Sequence, residues 1–268
     1  MNVIVTGATQ GLGLEIAKTF VKKGHNVAIC GRNMDKLEEA REELRKLIKD
    51  KQKIITEPVD VSNEEKVETF INYCLLRFKK IDVLINNAGI YGPFGKIEET
   101  NSEEWKECID INLIGPFYFM KNIISHMKEN KYGKIINISG GGATQPLPFI
   151  SAYAASKTAI VRLTESIAEE VKDYNIDVNS IAPGLLNTRL FNEVLEAGPE
   201  KVGENFYNII TKKEKTPLSM GANLCYWLAS KKSDGITGRL ISAVWDDYEH
   251  IDKKKIDKDL YMLRRIVK

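Results

Sequence analysis

Tyr153 and Lys157 stand four residues apart in the run Tyr153-Ala154-Ala155-Ser156-Lys157, so on a helix a phenol and an ammonium share one face. A lysine charge beside a tyrosine hydroxyl favours phenolate and draws its pKa down from about 10 into a range useful for proton transfer. That is acid/base chemistry in outline. The same spacing also describes an ordinary surface pair, so the elements that position it have to decide.

Short apolar runs over 3–5, 26–30, 53–58, 81–85, 134–138, 177–181 and 240–244 read as buried strands. Between them, segments over 12–23, 34–49, 64–78, 102–129, 152–171 and 217–229 show helical apolar spacing. Alternation of this kind implies an α/β protein: a doubly wound parallel sheet of about seven strands with helices on both faces. In such sheets the loops after the carboxyl ends of the strands form the ligand crevice, and Tyr153 opens a helix just past one of those ends. Residues 1–250 read as a single domain, with about 185–216 as a flap over the crevice. Residues 251–268 form a basic tail containing Lys253-Lys254-Lys255 and Arg264-Arg265, with Ile256, Leu260, Leu263 and Val267 on one face at helical spacing. A helix docked on its own or a neighbouring subunit is expected there, with an anionic partner as the alternative.

Composition narrows the partner. At 268 residues and 43% hydrophobic content the chain can bury one large core. A net charge of +2 gives no electrostatic case for nucleic acid or a membrane, which leaves a small molecule. Cys30, Cys74, Cys108 and Cys225 lie far apart without a CxxC pair, and three histidines are too few to complete a metal site, so no metal is expected and the thiols read as buried apolar groups. The first residues run straight into an apolar β-type stretch, and no apolar span is long enough for a membrane helix; a cytoplasmic protein is the expectation.

Thr6-Gly7-Ala8-Thr9-Gln10-Gly11-Leu12-Gly13 places three glycines between the first strand and the first helix. Glycines there permit a tight turn, let backbone approach a pyrophosphate and allow close helix packing, while the helix N-terminus offers free N–H groups. A plain structural turn is the alternative; the position between strand and helix favours a nucleotide. After the second strand the chain reads Cys30-Gly31-Arg32-Asn33, with a guanidinium and no carboxylate, which favours the 2′-phosphate of NADP over NAD, although NAD remains open. Arg32 also reads as a solvated charge at a helix start.

With these residues in hand the chain resembles the short-chain dehydrogenase/reductase family, in its ordinary one-domain, Rossmann-like form. The resemblance rests on Thr6-Gly7-xxx-Gly11-x-Gly13, Asp60-Val61, Asn86-Asn87-Ala88-Gly89, Asn112, Tyr153-xxx-Lys157, and Asn179-Ser180-Ile181-Ala182-Pro183-Gly184 with Thr188. The glycine spacing differs from the TGxxGxxG of the extended sugar-nucleotide branch. What the resemblance implies is an NAD(P)-dependent oxidoreductase interconverting a secondary alcohol and a carbonyl. Tyr153 would be general acid/base, and Lys157 would lower its pKa and hold the nicotinamide ribose. Asn112 would hold a relay water, its alternative being a helix kink near Pro116. It places Gly7, Gln10, Gly11, Leu12, Gly13 and Arg32 on the nucleotide, Asp60 with Val61 at the adenine, and Asn87, Ala88 and Gly89 beside the cofactor-side backbone. Pro183, Gly184, Leu186 and Thr188 would lie at the nicotinamide, with Leu186 and Thr188 holding its carboxamide. Without the resemblance, Asp60 and Thr188 are ordinary loop polar residues and Asn86-Asn87 a turn. The family's association through the helices over 102–129 and 152–171 implies a homodimer or homotetramer.

Two places depart from that pattern. Where the family has a serine that binds the substrate oxygen, this chain has Gly140, in Ile138-Ser139-Gly140-Gly141-Gly142. Either Ser139 takes the role, or another hydroxyl such as Thr144 or Ser151 does, or the site works without one; a lost oxyanion donor costs on the order of 10²-fold in rate. The last strand runs into Val244-Trp245-Asp246-Asp247-Tyr248 instead of the usual Asp-Gly-Gly. Tyr91, Phe94, Leu147, Phe149, Leu190, Phe191, Phe206 and Tyr207 could line an apolar crevice. A non-catalytic nucleotide-binding sensor or scaffold is the rival reading, which Gly140 supports and Tyr153, Lys157 and Asn112 oppose.

Overall fold

The computed structural model describes residues 1–252, 256 and 260–264. Seven strands are formed: β1 (Asn2–Thr6), β2 (Asn26–Gly31), β3 (Ile54–Pro58), β4 (Val83–Asn86), β5 (Gly133–Ile138), β6 (Ile176–Ala182) and β7 (Leu240–Ser242). They pair in parallel in the order β3-β2-β1-β4-β5-β6-β7. Val3 of β1 stands opposite Val27 on one side and Val83 on the other, so the chain changes direction across the sheet between β1 and β4. Every residue of β1, β4 and β5 is buried, as the unbroken apolar runs require of strands covered on both faces.

The covering helices are α1 (Gly11–Lys22), α2 (Met34–Arg45), α3 (Glu64–Phe78), α4 (Ser102–Ile109), α5 (Gly115–Glu129), α6 (Ser151–Val171), α7 (Arg189–Val202), α8 (Glu204–Lys212) and α9 (Leu218–Ala229). Asparagines start three of them: the side chains of Asn33, Asn63 and Asn101 accept from backbone N–H groups of the first turns of α2, α3 and α4. One apolar layer packs α1, α2 and α9 on the sheet; the other packs α3 and α5 on its opposite face. At the amino ends of β5 and β6, buried Lys134 is held by Asp177 at 2.5 Å and Asp234 at 2.8 Å. That clamp lies at the opposite end of the strands from the crevice.

Two expectations, for the long helix and for the tail, need correction, and the flap gains a structure. The single helix over 102–129 is divided: α4 gives way to a π-helical turn over Asp110–Ile114 before α5 begins. Pro116 has no N–H to return to the carbonyl of Asn112, so the regular ladder opens there. The segment read as a flap is helical, folded as α7, broken at Gly198 (φ 75°) before Pro199, and α8. In the tail, Leu260–Leu263 make a turn instead of a helix, with Tyr261 at φ 61°. The Leu240 N–H donates to the Tyr261 carbonyl at 2.7 Å, and the Leu263 N–H donates to buried Glu165 of α6 at 2.8 Å. An edge strand and a buried carboxylate take backbone partners that a helix would use internally. This segment therefore docks on its own subunit; Lys253, Lys254, Lys255, Arg265 and Val267 lie outside the described residues. Among the described residues no helix is long and apolar enough to cross a membrane.

Candidate active site

A crevice of about 1420 Å³ runs over the carboxyl ends of the strands. That is more room than one small ligand needs and suits a dinucleotide with a second molecule beside it. Its walls contain every expected nucleotide residue: Gly7, Gln10, Gly11, Leu12, Gly13, Arg32, Asp60, Val61, Asn87, Ala88, Gly89, Pro183, Gly184, Leu186 and Thr188, with Tyr153, Lys157 and Ser139. Sequence motifs as far apart as Gly7 and Thr188 thus meet because parallel strands deliver all their following loops to one edge.

At the β1 end the glycines are needed for space. Gly7 has φ 61°, and a Cβ on it would stand 2.7 Å from the Ala88 Cα. A Cβ on Gly13 would strike the Asn87 amide and the Gly7 carbonyl. The Asn87 side chain donates to the carbonyls of Thr6 (2.9 Å) and Gly7 (3.0 Å), while the Thr6 hydroxyl accepts the N–H groups of Asn87 and Ala88. The loop after β4 is therefore locked to the glycine loop, and a Cβ on Gly11 would meet Thr188 across the crevice at 3.3 Å. This is a cradle in which backbone is left bare, as a pyrophosphate requires. Asp60 accepts from the Ser62 hydroxyl at 2.6 Å and from the Ser62 N–H at 3.0 Å. Burial pushes its carboxyl up, but those hydrogen bonds and the charges of Arg32 and Lys66 outweigh it and leave the pKa below its ordinary value.

A buried polar ladder seats α6 on the sheet. Asn86 donates to Asn137 (2.8 Å), Asn137 donates to Thr164 (2.8 Å), and Ser180 donates to the same Thr164 hydroxyl (2.7 Å). With α6 fixed, Lys157 is 4% exposed, its Nζ donates to the Ile138 carbonyl at 2.9 Å, and it lies 5.4 Å from the centre of the Tyr153 ring. Burial lowers its pKa to about 8. The expectation that the lysine depresses the tyrosine does not hold in this state: burial, then the neighbouring Tyr91 and Cys108, push the Tyr153 phenol above its ordinary value. Desolvation of a phenolate outweighs a lysine held at ring distance and bonded elsewhere.

Ser139 does not face the phenol. Its hydroxyl is buried and donates to the Lys157 carbonyl at 3.0 Å, so here it anchors α6, and Gly140 faces Tyr153 instead. Any Cβ on Gly140 would lie 2.9 Å from the Tyr153 hydroxyl. Gly140 is extended (φ 171°), so space and not backbone conformation calls for glycine. Of the alternatives, Thr144 lines the crevice, whereas Ser151 accepts from the Trp105 indole. Asn112 lies in the π turn behind Lys157. Its side chain is held by protein: it accepts from the Ile90 N–H (2.9 Å) and donates to the Ile90 carbonyl (2.9 Å) and Ser156 hydroxyl (2.9 Å). The kink reading is borne out near Pro116, and the π turn that carries Asn112 sets its amide against Ile90.

At the other end, α7 and α8 close an apolar cluster around Tyr91, Leu147, Tyr153, Phe191 and Phe206. Tyr91 packs 4.7 Å from Tyr153, ring centre to ring centre, and 6.2 Å from Phe206. Arg189, the first residue of α7, reaches across to the Gly89 carbonyl at 3.4 Å and pairs with Glu193. Sequence reasoning missed Arg189, along with Thr9 and Lys36 at the nucleotide end; Lys36 has the spacing of a first-turn cation after Arg32, the one signal that could have marked it.

A profile of the family described as short chain dehydrogenase matches residues 1–198. The chain belongs to the short-chain dehydrogenase family. It is 32% identical over 240 residues to dehydrogenase/reductase SDR family member 4 of Caenorhabditis elegans, covering 89% of this chain and 91% of that one. Two solved short-chain structures superpose closely. An NAD+-bound xylitol dehydrogenase gives a TM-score of 0.81 at 27% identity, with 90% of this chain and 96% of that one covered. A variant of actinorhodin polyketide ketoreductase with NADPH gives 0.82 at 28% identity, with 90% and 94% covered. The chain is thus an NAD(P)-dependent oxidoreductase of alcohol and carbonyl groups, and the sensor or scaffold reading is not favoured.

Proposed function

We propose that this short-chain dehydrogenase prefers NADP(H) and interconverts an apolar secondary alcohol and its carbonyl, with Tyr153 as general acid/base. The observation that carries the reading is the convergence of Tyr153, Lys157 and the bare glycine cradle on one crevice. The nicotinamide would supply or accept the hydride. Tyr153, held protonated by burial, is suited to donate its proton to the alkoxide oxygen as charge develops there. Lys157 would hold the nicotinamide ribose and stabilise the phenolate that remains; Leu186 and Thr188 would hold the carboxamide. Asn112 supports Lys157 by fixing the loop after β4. With Ser139 engaged by Lys157, the phenol is the donor to the substrate oxygen, and Gly140 leaves it room. The preference for NADP(H) rests on Arg32, Lys36 and Thr9 around Gly31, where neither of the two residues that follow β2, Arg32 and Asn33, is a carboxylate. Chain association through α5 and α6 into a homodimer or homotetramer completes the reading, and Phe117 of α5, 40% exposed, offers apolar surface for it.

NADPH oxidation against a carbonyl panel tests the reading. Tyr153→Phe should lower turnover by about 10³-fold while NADPH binding stays within about twofold. Turnover that survives Tyr153→Phe would remove the mechanism. Titration of both cofactors into Arg32→Ala tests the preference, which should fall towards parity.

A further inference from the structure

Arg32 does not stand alone at the nucleotide end. Its Nη1 donates to a carboxylate oxygen of Glu107 at 3.2 Å, joining the end of β2 to the last turn of α4. Because β2 and β4 flank β1 in the sheet, and α4 follows the β4 loop, this contact links the elements on either side of β1 where Arg32 lines the crevice. Ile111, one turn beyond Glu107, lines the crevice below it. Both side chains are about half exposed (56% and 50%), so each can exchange its partner for another without being dug out of the protein. A second carboxylate, Asp60, feels the same guanidinium charge, and Lys36 lies in the first turn of the neighbouring α2.

We propose that Glu107 is a specificity-determining residue for the nucleotide: its carboxylate competes with a ribose 2′-phosphate for Arg32 and so sets the margin between NADP(H) and NAD(H). The proposal rests on the reading of Arg32 as the group that faces the adenosine ribose. A phosphate dianion arriving at Arg32 either displaces Glu107 or shares the guanidinium with it, and in both cases it sits beside a carboxylate that opposes binding. A neutral 2′-hydroxyl meets neither penalty. Specificity here is a difference between two affinities, and Glu107 acts on one of them only. An exposed ion pair is worth up to about 1 kcal/mol, which sets the scale at about threefold to fivefold in affinity. Screening by salt should shrink it further.

The test is direct titration of NADPH and NADH, followed by nicotinamide fluorescence, into the wild type, Glu107→Gln, Glu107→Lys, Arg32→Ala and the Arg32→Ala/Glu107→Gln double variant. Glu107→Gln should tighten NADPH by about threefold to fivefold and leave NADH unchanged, with a smaller gain at high salt. Glu107→Lys should tighten NADPH further. In the Arg32→Ala background the Glu107→Gln gain should shrink, because the competition for the guanidinium is gone and only the repulsion between carboxylate and phosphate remains. Equal effects on both nucleotides, no effect on either, or a gain undiminished without Arg32 would overturn the proposal. If Arg32→Ala shifts the NADPH to NADH ratio and Glu107→Gln does not, Glu107 alone loses its role. A ratio indifferent to Arg32→Ala removes the reading of Arg32 and the proposal together.

Discussion

At the nucleotide end of the crevice, backbone meets backbone. Gly7 and Gly13 press on the β4 loop with no space for a methyl group, and the hydrogen bonds that lock the two loops run from Thr6 and Asn87 to main-chain atoms. At the substrate end, side chain meets side chain: Tyr91 packs on the rings of Phe94, Tyr153 and Phe206, and Phe191 joins the same cluster, under α7, which Gly198 breaks, and α8, which Gly203 sets apart from it. The first construction suits the invariant part of a nucleotide, which presents an anion and needs N–H groups close by. The second suits an apolar ligand of variable shape, because ring packing tolerates volume changes that a backbone cradle does not. Tyr153 and Lys157 lie where the two constructions meet.

The largest expected effect is at that meeting point. Lys157→Met should lower turnover by about 10³-fold while leaving the protein as stable or more so, because it removes a buried ammonium. The native lysine titrates at about 8 against an ordinary value of 10.5. Between those values the unfolded chain binds more protons than the folded one, so the wild type should gain stability as pH rises through this window, by ~1.4 kcal/mol per pH unit at most. The burial penalty is fully present below pH 8, and the rise should disappear in Lys157→Met; denaturation at several pH values reads both curves. A rise that persists in the variant would assign it to another group.

A smaller effect separates the two ends. Gly7→Ala places a methyl group 2.7 Å from the Ala88 backbone at a positive φ, which neither loop can relieve without moving the cradle. NADPH affinity should fall by about 10²-fold, with a lowered Tm. Smaller still, Phe206→Ala should raise the KM for a bulky apolar ketone by about tenfold and leave NADPH affinity within about twofold, since the ring it removes touches Tyr91 and no part of the glycine loop. A Phe206→Ala variant that loses NADPH as well would mean that the two ends are one construction.

The strands and long helices were legible in the sequence because burial on both faces writes itself as unbroken apolar runs, and α3 begins and ends where its spacing places it, at Glu64 and Phe78. The glycine loop, the Asn86-Asn87-Ala88-Gly89 turn and the Tyr153-Lys157 spacing were legible for the same local reason: each is a short stretch whose backbone geometry follows from its own residues. The flap was not, since α7 and α8 are held by contacts to Tyr91 and Ile150 far away in the chain. Nor was the tail, whose turn answers to the edge of β7 and to Glu165.

What the sequence determined alone was the sheet, the crevice edge and the residues delivered to it. Tertiary structure decided which way those residues face and what they already hold. Ser139 sits one position from the expected register, and only the packing of α6 turns its hydroxyl to the Lys157 carbonyl and leaves Gly140 under the phenol. Asn112 falls in a helix by its spacing, yet Pro116 and the π turn direct its amide to Ile90. Arg32 and Glu107 are 75 positions apart, and nothing in either neighbourhood announces their pairing. Local geometry is a property of consecutive residues; the direction of a side chain, the water it loses and the charge it meets depend on neighbours that only the folded chain supplies.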